Sequence, residues 1–283
     1  MKGLIRMSNP YIDLHIHSTH SDGSMTPGAI VEAAAEVGVG VLAIADHGVI
    51  GGYLDAREAC ERRCIRLIPA VEIEALDGRR SFHILAYGFD PDNQPFLDFL
   101  SHMRFLLDEM SVKLIEAMQG DYPALSFADY MGYTHDASLG GWKALSYLLT
   151  KGVTNSLKEG IRFYPEYGIT YDKAGFSSIE HIAWYIHRAG GYAVLAHPGD
   201  HGLNEEPAAF EAEMHRLIGC GLDGIECYYP RHSEAVMQVC LKVCRDLDLL
   251  ITAGSDCHGT FGGRPVGEME TPLEWVSLKG LIE

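Results

Sequence analysis

Histidines and carboxylates stand at the ends of short apolar segments in this chain, and the first group is Asp13-Leu14-His15-Ile16-His17. Alternate side chains of a strand share one face, so Asp13, His15 and His17 would lie together. A buried face of one acid and two imidazoles needs a partner. Neutral imidazoles commonly bind a metal ion, and a carboxylate such as Asp13 can orient them. The pattern therefore predicts a metal site at the end of this segment.

Similar residues follow the later apolar segments. Because the active sites of α/β barrels lie at the strand ends, we expect these side chains to meet. Together with an acid in the loop after the first segment, the predicted metal ligands are His15, His17, Asp22, His47, Glu72, His83, His197, Asp256 and His258. Asp46, which directly precedes one of these histidines, is predicted to be a catalytic residue.

One pair of ligands permits a geometric prediction. Asp77-Gly78 is a favoured two-residue hairpin turn. If these two residues form the loop, Glu72 stands directly opposite His83, with Cβ atoms about 5 Å apart. Both side chains would then reach one ion.

Strands and helices alternate along the parts of the chain that carry these residues. One helix is predicted over Pro27 to about Val37, with Thr26 as its N-cap. A second is predicted over about Ser178 to Ala189, with Ser177 and Glu180 as a capping box. This alternation favours an α/β sheet or barrel. The predicted strands are Tyr11–His17, Val41–Asp46, Leu67–Ile73, Phe82–Phe89, Tyr192–Ala196, Gly224–Tyr229 and Leu249–Ala253.

The middle of the chain has no convincing strand pattern. It contains helical segments at Phe96–Met118 and Trp142–Leu149, joined by polar and glycine-rich stretches. We predict a helical insertion over residues 95–176 that covers a barrel formed by residues 9–94 and 177–283.

The composition is that of a globular protein, with 283 residues, 47% hydrophobic and 22% charged. The net charge of -17 argues against an extended nucleic-acid-binding surface, but bound cations can reverse the local field for one small phosphate ester. No apolar stretch is long enough to cross a membrane, and the segment Met1 to Pro10 is too short in apolar residues for a signal peptide. We expect a cytoplasmic protein with reduced cysteines and no evident obligate protein partner.

The order of the motifs resembles the PHP (polymerase and histidinol phosphatase) domain family. The resemblance implies metal-dependent phosphoesterase activity and a distorted (βα)7 TIM-like barrel, here with a helical insertion. It also implies two or three divalent transition-metal ions, commonly manganese, iron or zinc. The matching motifs are His15-Ile16-His17, Ala45-Asp46-His47, Ala70-Val71-Glu72, His83-Ile84-Leu85-Ala86-Tyr87, Ala196-His197-Pro198 and Ser255-Asp256-Cys257-His258.

By the same resemblance, the ligands divide among three ions. One ion would be held by His15, His17, Glu72 and Asp256. Glu72 would bridge to a second ion on His83 and His197. The third would be held by Asp22, His47 and His258.

The function implied is hydrolysis of a small phosphate ester, such as a nucleotide, by a metal-activated hydroxide. Arg231, His232 and Arg264 follow late strands and are predicted to clamp the phosphate. The insertion resembles the cap of nucleotide phosphatases and small exonucleases in this family. It departs from them at Gly141-Trp142-Lys143-Ala144, where a G-R-P-H sequence is frequent.

Two alternatives remain open from the sequence. Metal-dependent amidohydrolases also begin with H-x-H on a barrel, but they often bridge their metals with a modified lysine at a strand end. Here no lysine stands at a predicted strand end, and Glu72 takes the bridging place. A non-catalytic metal-binding barrel is the second alternative, although this chain keeps metal-competent residues at all of the expected positions.

Overall fold

The structure is a computed structural model of the chain and describes residues 10–204 and 206–282. The predicted barrel boundaries at residues 9 and 283 therefore lie outside the described residues, as does most of the segment Met1 to Pro10. None of the helices that the structure describes is long and apolar enough to cross a membrane. All seven cysteines lie within the described ranges, and they are free thiols.

The described strands form two sheets. One sheet has the order β3-β2-β1-β9 and the other has the order β4-β5-β6-β7-β8. β5 is antiparallel to both of its neighbours, whereas β6, β7 and β8 are parallel to one another. The strands are β1 (Tyr11–Asp13), β2 (Val39–Leu42), β3 (Arg66–Leu67), β4 (Ala70–Asp77), β5 (Arg80–Tyr87), β6 (Tyr192–Leu195), β7 (Gly224–Tyr228), β8 (Leu250–Ala253) and β9 (Thr271–Pro272).

Helices separate most of these strands in the sequence. Several pack directly on a sheet, as α9 does on β6 and α11 does on β7. The helices are α1 (Pro27–Glu36), α2 (Gly51–Arg63), α3 (Gln94–Met118), α4 (Phe127–Gly132), α5 (Lys143–Thr150), α6 (Leu157–Gly160), α7 (Phe163–Glu166), α8 (Tyr171–Ala174), α9 (Ile179–Arg188), α10 (Pro207–Ile218) and α11 (Glu234–Asp246). The predicted α/β class is confirmed.

The two sheets meet where predicted ligands lie. An isolated parallel bridge joins His47, beyond β2, to Glu72 in β4. A second one joins Ile16, beyond β1, to Cys257, beyond β8. Continuous strand pairing in the described residues thus gives two sheets rather than one closed barrel, and short bridges connect their edges.

The first predicted strand is shorter than expected. β1 ends at Asp13, and the next residues continue as extended chain with the single bridge at Ile16. Past Asp13 the backbone still pairs on both sides, since Leu14 donates to the carbonyl of Ala253 (3.0 Å) and Ala45 donates to that of Ile16 (2.8 Å). The Asp13 carboxylate accepts hydrogen bonds from the backbone N–H groups of Ser255 (2.9 Å) and Gly267 (2.7 Å). His15 and His17 lie beyond the strand, and both are fully buried.

The predicted register of the β4–β5 hairpin is wrong by two residues. Asp77 pairs with Arg80, so the loop is Gly78-Arg79, and Glu74 rather than Glu72 stands opposite His83. Gly78 has a φ of +62°, as the first central residue of a type II′ turn requires. A shift of two residues keeps each side chain on its original face, so the predicted proximity survives the error.

Two helix starts were predicted, and one needs correction. Thr26 caps α1 as predicted, since its side chain accepts a hydrogen bond from the N–H of Ala29. The cap of α9 is Ser178 and not Ser177, because the Ser178 hydroxyl accepts from the N–H of His181 at 3.3 Å. The capping box predicted from Ser177 and Glu180 is therefore one residue out of place.

Residues 95–176, all of them described, contain helices and turns but no strand. The first half of α3 packs on the main core through Phe96, Phe99 and Met103. Its second half joins α4, α5 and α7 in a separate small cluster around Tyr130 and Tyr147. This region therefore extends from the main core as a helical layer.

The correction at α9 gives a stability test. Replacing Ser178 by Ala removes the capping acceptor, and we expect the free energy of unfolding to fall by about 1 kcal/mol. Ser177→Ala is the matched control and is expected to change it by less than about 0.5 kcal/mol. Urea denaturation of the two variants measures both values. A larger loss in Ser177→Ala would restore Ser177 as the cap.

Candidate metal centre

The predicted ligands converge on the carboxylate of Glu72, which is fully buried in β4. Its Oε1 atom lies 2.9 Å from Nδ1 of His83 and 3.1 Å from Nε2 of His197. Its Oε2 atom lies 3.3 and 3.2 Å from Nε2 of His15 and His17. Nε2 of a fifth imidazole, that of His47, lies 3.4 Å from the same oxygen. Glu72 is therefore the centre of the cluster.

Two further carboxylates flank this centre. Oδ1 of Asp256 lies 3.3 Å from Nε2 of His17 and 3.4 Å from Nδ1 of His258. Oδ1 of Asp22 lies 3.3 Å from Nε2 of His258 and 3.9 Å from Nε2 of His47. The structure thus brings all nine predicted ligands together.

Ligand atoms within 4.8 Å of one another define three overlapping groups that are able to hold a metal ion. His17 belongs to two groups and so does His15, so the groups share side chains in the middle of the cluster. The ligand partition implied by the resemblance stays a prediction. The three groups are His17, Asp22, His47 and His258; His15, His17 and Asp256; and His15, Glu72 and His197.

The hydrogen-bond geometry fits divalent cations. Nε2 of His15 and Nε2 of His17 face each other at 3.1 Å. A carboxylate oxygen lies near each Nδ1 atom, from Glu226 at 3.1 Å for His15 and from Asp22 at 3.5 Å for His17. The Glu226 carboxylate favours a proton on Nδ1 of His15, so Nε2 is the atom left to bind a cation once the ring is neutral. Nδ1 of His17 has no hydrogen-bond partner among the described residues. Mixed imidazole and carboxylate donors suit several transition metals.

Two buried glutamates behind the ligands were not predicted from the sequence. Glu74 lies 2.7 Å from Nδ1 of His47, and Glu226 contacts His15 as described above. The available signal was an ionisable residue inside an apolar strand, and Glu74 also shares the strand face of Glu72. Carboxylates behind imidazoles typically set the orientation of metal-binding histidines.

The role predicted for Asp13 is wrong. Its carboxylate is fully buried, but its hydrogen bonds come from the backbone N–H groups of Ser255, Gly267 and His15, and not from an imidazole. Burial raises the pKa of Asp13 to about 6, although these N–H groups favour the ionised form. Asp13 thus fixes the path of the chain at the centre.

Two residues predicted as catalytic or phosphate-binding hold loops. Asp46 is fully buried and accepts hydrogen bonds from the backbone N–H of Ser18 (2.7 Å) and from the hydroxyls of Ser18 and Ser21. His232 lies 3.0 Å from the carbonyl of Cys227 through Nδ1, and its Nε2 accepts from the N–H of Gly199 at 3.2 Å. A cavity opens at the predicted ligands, with Glu72, His197 and Asp256 in its lining. Neither Asp46 nor His232 is among the residues that line it.

The two predicted arginines do line that cavity. The guanidinium groups of Arg231 and Arg264 lie 5.7 and 5.1 Å from the ring centroid of Tyr229. Arg231 also pairs with Asp200, and Nη1 of Arg264 donates to the carbonyl of Ser255 at 3.2 Å. Both guanidinium groups therefore line the cavity beside the predicted ligands, and both lie near Tyr229.

Two predicted ligands are among the six described residues other than glycine that have a positive φ. His197 has a φ of +27° and Asp256 has a φ of +51°, values that residues other than glycine rarely adopt. Such conformations persist only when the surrounding structure enforces them, and they cluster at functional sites.

The electrostatics of the metal-free centre are dominated by its carboxylates. Burial alone would lower the pKa of the His17 imidazole, but hydrogen bonds to Asp256 and Glu72 raise it to about 9. Burial acts in the same direction on His47, where Glu72 and Glu74 raise the pKa to about 10. Burial would raise the pKa of the Glu72 carboxyl, yet the imidazoles hold it well below its usual range. Without metal, the centre therefore retains protons on its imidazoles at neutral pH.

Comparison with known proteins gives a consistent result. The family model of the PHP domain matches residues 13–172. The 3',5'-nucleoside bisphosphate phosphatase of Chromobacterium violaceum is 29% identical over 266 residues, which cover 92% of this chain and 91% of that protein. The phosphoribosyl 1,2-cyclic phosphate 1,2-diphosphodiesterase of Eggerthella lenta is 30% identical over 277 residues, covering 89% of this chain and 96% of that protein.

A third relative has a name that indicates a polymeric substrate. It is the 5'-3' exoribonuclease Rnm of Escherichia coli, 29% identical over 275 residues, which cover 94% of this chain and 87% of that protein. Among solved structures, a proposed metal-dependent phosphoesterase from Bifidobacterium adolescentis superposes with a TM-score of 0.77 at 26% identity. The match covers 94% of this chain and 93% of that one.

The raised pKa values predict how metal binding depends on pH. Metal must displace protons from His17 and His47, so affinity should rise with pH by about tenfold per unit for each proton displaced. Because the two pKa values are about 9 and 10, the metal affinity should continue to rise through pH 8.5. The affinity for histidines with the usual pKa would level off above about pH 6.5. Calorimetry in two buffers of different ionisation enthalpy measures both affinity and proton release. An affinity that is constant above pH 7 would contradict this assignment of protons.

Proposed function

The chain belongs to the PHP domain family of metal-dependent phosphoesterases, and on that premise we propose that it hydrolyses a small phosphate ester, such as a mononucleotide. The observation that carries the proposal is one cavity that is lined by both the ligand cluster and two arginines. Glu72, Asp256, Arg231 and Arg264 all line it.

The size and lining of the cavity support a small substrate. Its volume is about 1030 Å³, at the upper end of ordinary small-molecule sites. The helical region contributes apolar and aromatic side chains to its lining, among them Leu107, Met110, Trp142 and Tyr164. A phosphoryl group at the ligands and an organic group against these side chains would fill it.

Divalent ions held by the nine ligands would supply Lewis acidity and would lower the pKa of water towards about 7. The side chains of this protein would hold and orient the substrate. Arg264 and Arg231 are positioned to donate to phosphoryl oxygens, and Arg264 is only 16% exposed, so its charge acts with little screening by water. Tyr229 supports both guanidinium groups, and its hydroxyl, which donates to Asp200 at 2.6 Å, lies 3.2 Å from Oδ2 of Asp256.

The finer architecture belongs to the same proposal. We infer that the bridges at His47–Glu72 and Ile16–Cys257 complete a distorted seven-stranded barrel of β1, β2, β4, β5, β6, β7 and β8. Residues 95–176 would be its cap, since Gly141 donates to the carbonyl of Asp22 at 2.7 Å and Lys158 to that of Gly262 at 3.2 Å. Three overlapping ligand groups favour two or three ions, and the donor types do not distinguish manganese, iron and zinc.

The names of the relatives indicate substrates of different size, since one relative is named as an exoribonuclease and the others as enzymes of small phosphate esters. The net charge of -17 disfavours long polyanions, whose binding requires basic surface. A small ester is therefore the favoured class, and an oligonucleotide is the class to test against it.

The function is tested by phosphate release from phosphomonoesters, nucleotides and short oligonucleotides, with protein reconstituted in manganese, iron or zinc. We expect turnover of small esters, and a loss of at least about 100-fold in His17→Ala, which removes a ligand shared by two groups. Release of nucleotides from oligonucleotides alone would reassign the substrate class. Full metal occupancy without release from any ester would overturn the proposal.

Arg264 offers a test of the phosphate clamp. Replacement by Met keeps much of the side-chain volume but removes hydrogen bonds to a charged group, worth about 1.5–3 kcal/mol. We expect kcat/KM to fall by about 10- to 100-fold, with metal content unchanged. Arg216→Met is the control, because Arg216 pairs with Asp77 and Glu213 outside the cavity. Equal kcat/KM in Arg264→Met and the wild type would remove Arg264 from the clamp.

A further inference from the structure

We propose that Glu226 is a positioning residue that aligns two metal-binding histidines, His15 and His197, through its two carboxylate oxygens. The inference rests on the metal centre of the proposed function and adds a residue that lies behind it. It also replaces Asp13, which the sequence pattern had suggested for this task.

Each oxygen of Glu226 has its own partner. Oε1 lies 3.1 Å from Nδ1 of His15, and Oε2 accepts the backbone N–H of His197 at 2.9 Å. Glu226 is fully buried in β7, between Ile225 and Cys227, which are fully buried as well. A carboxylate in such a place is costly unless it is hydrogen-bonded, and these two donors meet that requirement.

The contact with His15 determines which ring nitrogen is free. A carboxylate at Nδ1 favours the tautomer with the proton on Nδ1, so the lone pair is on Nε2. Nε2 is the atom that points to the centre, 3.3 Å from Oε2 of Glu72 and 3.6 Å from Oδ1 of Asp256. Glu226 thus prepares His15 to bind a cation.

The contact with His197 acts on the backbone. His197 has a φ of +27°, a strained value for a residue with a side chain. The hydrogen bond from its N–H to Glu226 holds the residue in this conformation, in which Nε2 lies 3.1 Å from Oε1 of Glu72. One side chain therefore sets the positions of two imidazoles whose ring centroids lie 5.5 Å apart and which contact the two oxygens of Glu72.

The close fit around Glu226 depends on Gly254. A Cβ atom at that position would lie 2.5 Å from Oε1 of Glu226 and 2.2 Å from Cβ of His15. Because Gly254 has no side chain, the carboxylate of Glu226 can approach the His15 ring and form this contact. Glu74 provides a contrast, because among the described side chains its carboxylate pairs with a single imidazole, that of His47 at 2.7 Å.

The test is the substitution Glu226→Gln in the full chain, studied by Co²⁺ titration of metal-free protein with visible absorption as the readout. A glutamine has one acceptor oxygen, so its NH₂ group would face either His15 Nδ1–H or His197 N–H. We expect Co²⁺ affinity to fall by 10- to 100-fold and the absorption bands to change shape, since ligand geometry changes.

Glu74→Gln is the matched control. It also removes a buried negative charge, but its single oxygen can still accept from His47, so a smaller loss is expected. Equal losses in the two variants would overturn the proposal, because buried charge alone would then explain the effect. Wild-type affinity and bands in folded Glu226→Gln would overturn it as well.

If Glu226→Gln does not fold, Glu226→Asp decides. This variant keeps the charge and both acceptors but retracts them by one methylene group, so we expect weaker Co²⁺ binding, and wild-type binding would overturn the proposal. The readout is independent of turnover. A wild-type protein that binds Co²⁺ but releases no phosphate would contradict the proposed function and leave the role of Glu226 intact.

Discussion

Five imidazoles around one buried carboxylate form the constraint on which the rest of this structure depends. Glu72 lies within 3.4 Å of a ring nitrogen of His15, His17, His47, His83 and His197. Such a cluster is stable only if each ring has a defined proton and a fixed orientation. Acids lie behind two of the rings, Glu226 at His15 and Glu74 at His47, and the backbone N–H of His197 holds Glu226. Two small sheets, joined by bridges rather than by full strand pairing, bring these groups to one place.

Most of the predicted ligands could be recognised from the sequence because they lie at or near one end of an apolar segment. Their partners could not. Glu226 is 211 residues from His15 in the chain, and no local spacing relates the two. The nearness of Glu72 and His83 was predicted despite a wrong register, since the two-residue slip preserved the strand face. The cap of α9 was placed one residue early because Ser177 and Ser178 are adjacent and equally suited to capping.

Two parts of the chain line the cavity, the strand ends of the sheets and the helical region. The sheet side carries the predicted metal ligands and two arginines, while the helical side contributes apolar side chains together with the charged Lys158, Asp172 and Lys173. Trp142 joins the two, because its ring lies 5.6 Å from the imidazole of His47 and 5.2 Å from the guanidinium of Arg104. Arg104 also donates to the carbonyl of His20 at 3.2 Å. The helical layer is thus in direct contact with the backbone around the predicted metal ligands.

Asp13 ties the beginning of the centre to its end. Its carboxylate binds the backbone of Ser255 and Gly267, which lie 242 and 254 residues further along the chain. Contacts of such large sequence separation form late, after the costs of closing long loops have been met. During translation the first two histidines leave the ribosome long before Asp256 and His258 exist. The centre can therefore assemble only in a chain that extends at least to Gly267.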